Sequence, residues 1–182
     1  LPLYLLETYK LPHICSLDAD ILFLDNPAPL FDSLNSASII ITPHKFTREL
    51  IDKEVYGVFN VSFQIFKNNS VGLDCLHRWK EKCIEWCGDY IQDETNLFAD
   101  QKYLDEWPKK YKDKLKILDD AVSGLAPWNI NNYRLTYENG EFLSDGQRII
   151  FYHFHGFKFF GKRWATKSFK SYFVKNTAIL EK

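Results

Sequence analysis

Two aspartates, Asp18 and Asp20, interrupt an otherwise apolar run from His13 to Leu24. In an extended segment their i, i+2 spacing directs both carboxylates to one face. Their neighbours Ile14, Leu17, Ile21, Leu22 and Phe23 are apolar, so the pair is expected to be largely buried. Two like charges at a buried strand end repel each other and lose solvation. A divalent cation removes both penalties, and hard oxygen donors suit Mg²⁺, Mn²⁺ or Ca²⁺. The blander reading is that an Asp at a strand end only caps a turn, and Asp25-Asn26-Pro27 marks a turn just downstream.

Other residues offer chemistry farther along. His153 and His155 alternate in an extended segment, which places both imidazoles on one face. Among so many aromatics a histidine is as readily a satisfied half-buried residue as a ligand. Asp100 and Gln101 fall in a stretch read as a helix, where local sequence suggests a solvated face. Trp128, in the loop Ser123 to Asn129, either stacks on the apolar face of a sugar ring or packs in a core. Of four cysteines, Cys75, Cys83 and Cys87 share one stretch, with Cys83 and Cys87 one helical turn apart. No second Cys or His pair follows at zinc-finger spacing, so the cysteines are read as buried or half-buried free thiols, which suit a reducing compartment.

The elements that must position these residues follow from periodicity and turn signals. A strand from His13 ends at the carboxylates and resumes briefly before Asp25-Asn26-Pro27. Leu30 to Leu34 reads as a helical turn, Ser38 to Thr42 as a β-branched strand, Phe46 to Ile51 as a helix and Val58 to Phe66 as a strand. Positions 72, 76, 79, 83 and 86 recur at helical spacing, with Ser70 as N-cap. A second helix is expected from Asn96 to Trp107, stopped before Pro108. Then come strands at Lys116–Leu118, Tyr133–Tyr137 and Gln147–His153, with turns at Asn139-Gly140 and Asp145-Gly146, and a terminal helix from Ser168 to Lys182. Alternating strands and helices predict an α/β fold with a mixed, mostly parallel sheet and helices on its faces. Ligands in such sheets gather at the carboxyl ends of strands.

The stretch Ser16-Leu17-Asp18-Ala19-Asp20-Ile21-Leu22-Phe23-Leu24-Asp25-Asn26-Pro27 resembles the Asp-x-Asp segment of GT-A nucleotide-diphospho-sugar glycosyltransferases, family 8-like. Phe59-Asn60-Val61-Ser62-Phe63, Asp100-Gln101 and His153-Phe154-His155-Gly156-Phe157-Lys158 follow in that family's order. The resemblance spans roughly residues 13 to 158. Ser62 stands where the family often has Gly, Lys158 comes one residue early, and Phe159-Phe160 replaces the usual Pro-Trp.

The resemblance implies a hexosyltransferase that moves a sugar from a nucleotide donor, a UDP-sugar, to a carbohydrate or glycolipid acceptor with Mn²⁺ or Mg²⁺. Asp18, Asp20 and His153 would hold the metal, and Asp18 would also reach the ribose. Gly156 and Lys158 would meet the phosphates. Asn60, Ser62, Trp128 and His155 would line the sugar pocket. Asp100 and Gln101 would lie at the reacting centre, Asp100 as general base if the reaction inverts configuration. It further implies a single partial domain over 1–182 that lacks the N-terminal βαβ units gripping the base. Leu1-Pro2-Leu3-Tyr4, with no Met and no leader pattern, reads as a cut inside a longer protein. An uncovered sheet edge is then expected, and sugar transfer by this piece alone is not.

Composition bounds the alternatives. The 182 residues carry a formal net charge of −1, which gives no case for nucleic acid as partner. No apolar run is long enough to span a bilayer. These features fit a cytoplasmic protein, with peripheral association at the inner face of the membrane compatible. A metal-dependent phosphohydrolase or glycoside hydrolase would also use paired carboxylates, although glycosidases set theirs across a cleft. A non-catalytic carbohydrate-binding module would use the tryptophans and tyrosines and would not need Asp18, Asp20 and His153 to converge.

Overall fold

The computed structural model describes residues 1–92, 95–161, 164–166 and 169–175. Its contacts gather into two compact units: Leu1–Asp18, Ala28–Pro43 and Lys53–Leu118 in the first, and Ala19–Pro27, His44–Asp52 and Asp119–Lys182 in the second.

The first unit is built on β3 (Ile39–Pro43), a β-branched run buried at every position. Such a strand needs cover on both faces and partners on both edges. Its antiparallel partner is β4 (Phe59–Lys67), which in turn pairs antiparallel with β1 (His13–Leu17). On the other side β3 pairs parallel with β5 (Leu115–Ile117), giving the order β1-β4-β3-β5.

This corrects the expected GT-A architecture. One strand pair of the four-stranded sheet is parallel and two are antiparallel, and the remaining sheets have two or three antiparallel strands. The misreading has a clear cause. Alternation fixes the order of elements along the chain, not which strands become neighbours. A short 3₁₀ segment, Arg48–Tyr56, precedes β4 where a crossover helix would be needed, and β4 returns antiparallel. A fully buried strand such as β3 also carries the unbroken apolar signature of an all-parallel sheet, although one of its two neighbours is antiparallel.

Helix α1 (Pro2–Tyr9), not foreseen from sequence, buries Leu3 and Leu6. The amphipathic helix expected around Gly72 forms as α3 (Ser70–Glu85), after the short α2 (Ala28–Asp32). Its N-cap is Asn69 and not Ser70: the Asn69 side chain accepts from the Gly72 amide at 3.0 Å. Gly72 is needed there, because a Cβ would lie 2.1 Å from the Lys67 carbonyl oxygen. Leu76, Cys75, Phe66, Trp107 and Tyr111 join Ile39 and Ile41 in this unit's core.

All four cysteines are free, with Cys75 buried, Cys15 and Cys83 half-buried and Cys87, beyond the helix end, exposed. Burial pushes the Cys15 thiol up to about 11 and those of Cys75 and Cys83 up to about 12.

The helix expected over Asn96–Trp107 does not form. Asn96 and Ala99 have φ of 53° and 46°, which breaks any α-helical run. A 3₁₀ segment at Lys102–Glu106 leads instead into α4 (Trp107–Tyr111). Pro108 sits in the first turn of that helix, where its missing N–H costs nothing, so it starts a helix and does not stop one.

In the second unit, β2 (Ile21–Phe23) pairs antiparallel with β9 (Phe151–His153). A meander of β6 (Leu135–Glu138), β7 (Glu141–Ser144) and β8 (Gln147–Arg148) turns at Asn139-Gly140 and Asp145-Gly146. All four turn residues have positive φ, as two-residue hairpin loops require. Strands β10 (Lys158–Phe160) and β11 (Trp164–Thr166) form a further hairpin. Leu125, Ile130, Leu135, Ile149 and Tyr152 make one small core, and Leu50, Ala126 and Trp128 another. Of the expected terminal helix, Lys170–Tyr172 is a 3₁₀ turn; Ser168 and residues 176–182 lie outside the described residues. Among the described residues no helix is long and apolar enough to cross a membrane.

Candidate functional site

Asp18 and Asp20 do not share an extended face. β1 ends at Leu17, and Ala19 and Asp20 form the turn into β2. The i, i+2 rule therefore does not apply, and the two aspartates belong to different compact units.

Asp20 is brought to His153 by the β2–β9 ladder, in which Ile21 sits opposite His153. The Phe154 amide donates to the Asp20 carbonyl at 2.8 Å, and the His153 amide donates to Leu125 O at 2.7 Å. With both backbones fixed, His153 Nε2 lies 3.1 Å from Asp20 Oδ1. The imidazole is 5% exposed and the carboxylate 42%, so the pair has a buried end and an open one.

His155 completes the group: one ligand atom each from Asp20, His153 and His155 lie within 4.8 Å of one another. Strand alternation does not bring the two histidines together, because β9 stops at His153 and His155 lies in the following turn. Gly156, at φ 71°, supplies the left-handed residue of that turn. One carboxylate and two imidazoles are a fitting donor set for a divalent transition ion with open positions.

Trp128, 4% exposed, is the packing partner of these rings. Its indole lies 5.2 Å from the His153 ring, 5.3 Å from His155 and 5.9 Å from Tyr172, all edge-on. The loop that carries it is tied down by Asn129, whose amide donates to His44 O and Gly124 O and accepts from the Ala126 amide, each at 2.9 Å. His44 stacks on Phe46 at 4.6 Å and meets Trp128 edge-on at 5.3 Å. The sequence reading missed His44; its position just after Pro43 at the end of β3 was the available signal. Lys158 stands exposed on β10.

The first unit holds the other expected residues. Ser62 O accepts from the Asp18 amide at 2.9 Å. Asn60 Oδ1 accepts from the Ser62 amide at 3.0 Å and also from Ser62 Oγ. Both residues are buried, at 4% and 2% exposure, and their side chains bond to each other within β4. The proton affinity of Asp100 is raised, first by burial and then by the negative charge of Asp18. The Asp100 carbonyl accepts from Trp79 Nε1 at 2.8 Å, and Gln101 Nε2 donates to Tyr56 O at 3.0 Å. Structure thus groups Asp18, Asn60, Ser62, Asp100 and Gln101 in one unit and Asp20, His153, His155, Trp128, Gly156 and Lys158 in the other.

No protein-family model matches the chain. It is similar to the uncharacterized protein YfnD of Bacillus subtilis (strain 168), 29% identical over 146 residues that cover 80% of this chain and 47% of that protein. It is also similar to the uncharacterized protein YfnF of the same organism, 30% identical over 157 residues, 82% of this chain and 51% of that protein. The chain spans about half the length of the curated relatives it matches.

Proposed function

We propose that this chain is the metal- and phosphate-binding part of a transferase. The enzyme moves a sugar from a nucleotide-diphosphate donor, a UDP-sugar, to a hydroxyl of a glycan or glycolipid. The observation that carries the reading is the convergence of Asp20 with the neighbouring His153 and His155, which follow it far along the chain, on one small volume. The two imidazoles shift the preferred ion from Mg²⁺ toward Mn²⁺. A bound divalent ion would supply Lewis-acid stabilisation of the negative charge that grows on the departing diphosphate.

The chain's own groups do the rest. His153 is held by its strand and its rotamer is fenced by Trp128, so the ligand geometry is set before any ion arrives. Asp20 keeps an open side, through which phosphate oxygens can reach the same centre. Lys158 offers a point charge to those oxygens. If the reaction inverts configuration, Asp100, half-buried and with a raised proton affinity, suits general-base work and Gln101 suits positioning beside it; if it retains, the departing diphosphate takes the acceptor's proton. On this reading the protein works in the cytoplasm, and association with the inner face of the membrane would bring it to glycolipid acceptors. The buried Trp128 does not offer the open stacking platform that a non-catalytic sugar-binding module needs.

The test is thermal. UDP with Mn²⁺ at about a hundredfold above Kd should raise the unfolding midpoint by about 5–10 °C. The shift should vanish in Asp20→Ala and with chelator. A midpoint indifferent to every nucleoside diphosphate in the presence of Mn²⁺ would sink the reading.

A further inference from the structure

The second unit contains a cavity that none of the roles above uses. Its walls are Leu22 and Leu24 of β2, Leu135 of β6, Phe142 of β7, Ile149 and Phe154, and its volume is about 270 Å³. Among the described residues no charged side chain lines it. It opens to solvent, since Leu22 and Leu24 are 50% and 40% exposed; an enclosed space with such a lining admits benzene at about 150 Å³. A larger space of the same lining suits an alkyl chain and rejects a phosphate or a bare sugar, whose polar groups would lose solvation without gaining partners.

The cavity adjoins the candidate site. Leu22 and Phe154 are shared with a more open recess that includes Ala19 and Asp20 and is lined farther out by Phe157 and Phe159. Phe159 is 77% exposed. One face therefore runs from a carboxylate to an apolar cavity across two shared side chains. A molecule matching it has a polar head and a chain, in that order.

We propose that the acceptor is an amphiphilic alcohol that seats its alkyl chain in the Leu22–Phe154 cavity and presents its hydroxyl head beside Asp20. The head's fate rests on the transfer reading above; the chain site stands on the cavity alone. In the transfer, the acceptor oxygen bonds to the anomeric carbon. The bond from that carbon to the diphosphate oxygen breaks, its electron pair stays on the diphosphate, and the hydroxyl proton ends there.

Hexyl, octyl and decyl glucosides, below their micelle concentrations, serve as probes in calorimetric titrations of the full chain without metal or nucleotide. Affinity should rise about fourfold per added methylene until the chain fills the space, then flatten. Two variants fill the cavity from half-buried positions clear of the ligand trio: Thr136→Phe on β6 and Leu143→Trp on β7. Either, once circular dichroism shows it folded, should weaken octyl glucoside by about tenfold. Affinity independent of chain length overturns the proposal, as does a chain-length trend that both variants leave intact. Where Mn²⁺ binds, its paramagnetism should broaden the head-group protons of octyl glucoside, whose hydroxyls then lie beside Asp20. Chain-dependent binding without that broadening overturns the placement of the head while the apolar site stands. Broadening that ignores chain length overturns the apolar site while the metal reading stands.

Discussion

The two compact units hold their polar residues by different means. In the first, Asn60 and Ser62 are enclosed in a four-stranded sheet, and the sheet fixes Asp18 through its backbone amide. In the second, Asp20 and His153 hang on one two-stranded ladder of three residue pairs, backed by a loop and a Trp128 cluster. A long sheet holds a group whether or not a ligand is present. A short ladder whose one partner is a buried imidazole and the other an open carboxylate gains much more from a ligand that binds both. The contrast predicts where mutations act through folding and where they act through binding.

The largest effects should come at His153. His153→Ala leaves a hole beside Trp128 and should cost about 2–4 kcal/mol in urea unfolding without metal. Asp20→Ala, at an open carboxylate, should stay within about 1 kcal/mol under the same conditions. Any Mn²⁺-dependent activity should nonetheless fall about a hundredfold in either variant. Equal costs in the metal-free protein would remove the distinction between the buried and open ends of the pair.

Glycines give a second contrast. Gly72→Ala forces a Cβ against the backbone of Lys67 inside the first unit and should cost about 1–3 kcal/mol. Gly140→Ala, in the second unit's meander, meets nothing within 4 Å and is strained through its φ of +87° alone. About 1 kcal/mol is expected there. Thermal melts of the two variants rank them, and the reverse order would break the picture of a tightly closed first core.

Hydrogen exchange sharpens the same point. Saturating Mn²⁺ should slow exchange about tenfold or more at Ile21–Phe23 and Phe151–His153, and leave Phe59–Lys67 unchanged. Equal protection of β4 would mean that the ion does not act through the β2–β9 ladder.

Much of this was legible in the chain. The strands around Ile39–Ile41 and Phe59–Phe66, the α3 helix and the two hairpin turns followed from β-branched runs, helical spacing and Asn-Gly or Asp-Gly pairs. Those are local signals. Pairing partners were not legible, because β1 next to β4 is a contact across about fifty residues that no local period encodes. The turn at Ala19-Asp20 hid inside an apolar run, and so the supposed carboxylate pair was read as one face. His153 drew notice through its alternation with His155 and the resemblance of His153-Phe154-His155-Gly156, yet the nearness of His155 came from a turn that strand alternation cannot describe. The helix misread over Asn96–Trp107 shows the same limit: nothing in Asn-Leu-Phe-Ala forbids a helix, and only tertiary context sets Ala99 at positive φ.

The smallest effect expected is also the one whose sign is most telling. Asp100 binds its proton more tightly when folded, because burial and the Asp18 charge disfavour its ionised form. Its contribution to stability therefore falls as pH rises from the ordinary value of 3.8 toward the folded value, and stays low above it. Asp100→Asn removes a charge that the folded first unit does not want. Without metal it should raise the unfolding midpoint at pH 7 by about 1–3 °C, and the gain should vanish below pH 3.8. The same change should abolish general-base work if Asp100 performs it, so stability and activity would move in opposite directions. That opposition is the signature of a carboxylate kept in an unfavourable place for its chemistry. A midpoint lowered at neutral pH would instead make Asp100 a structural residue of the first unit.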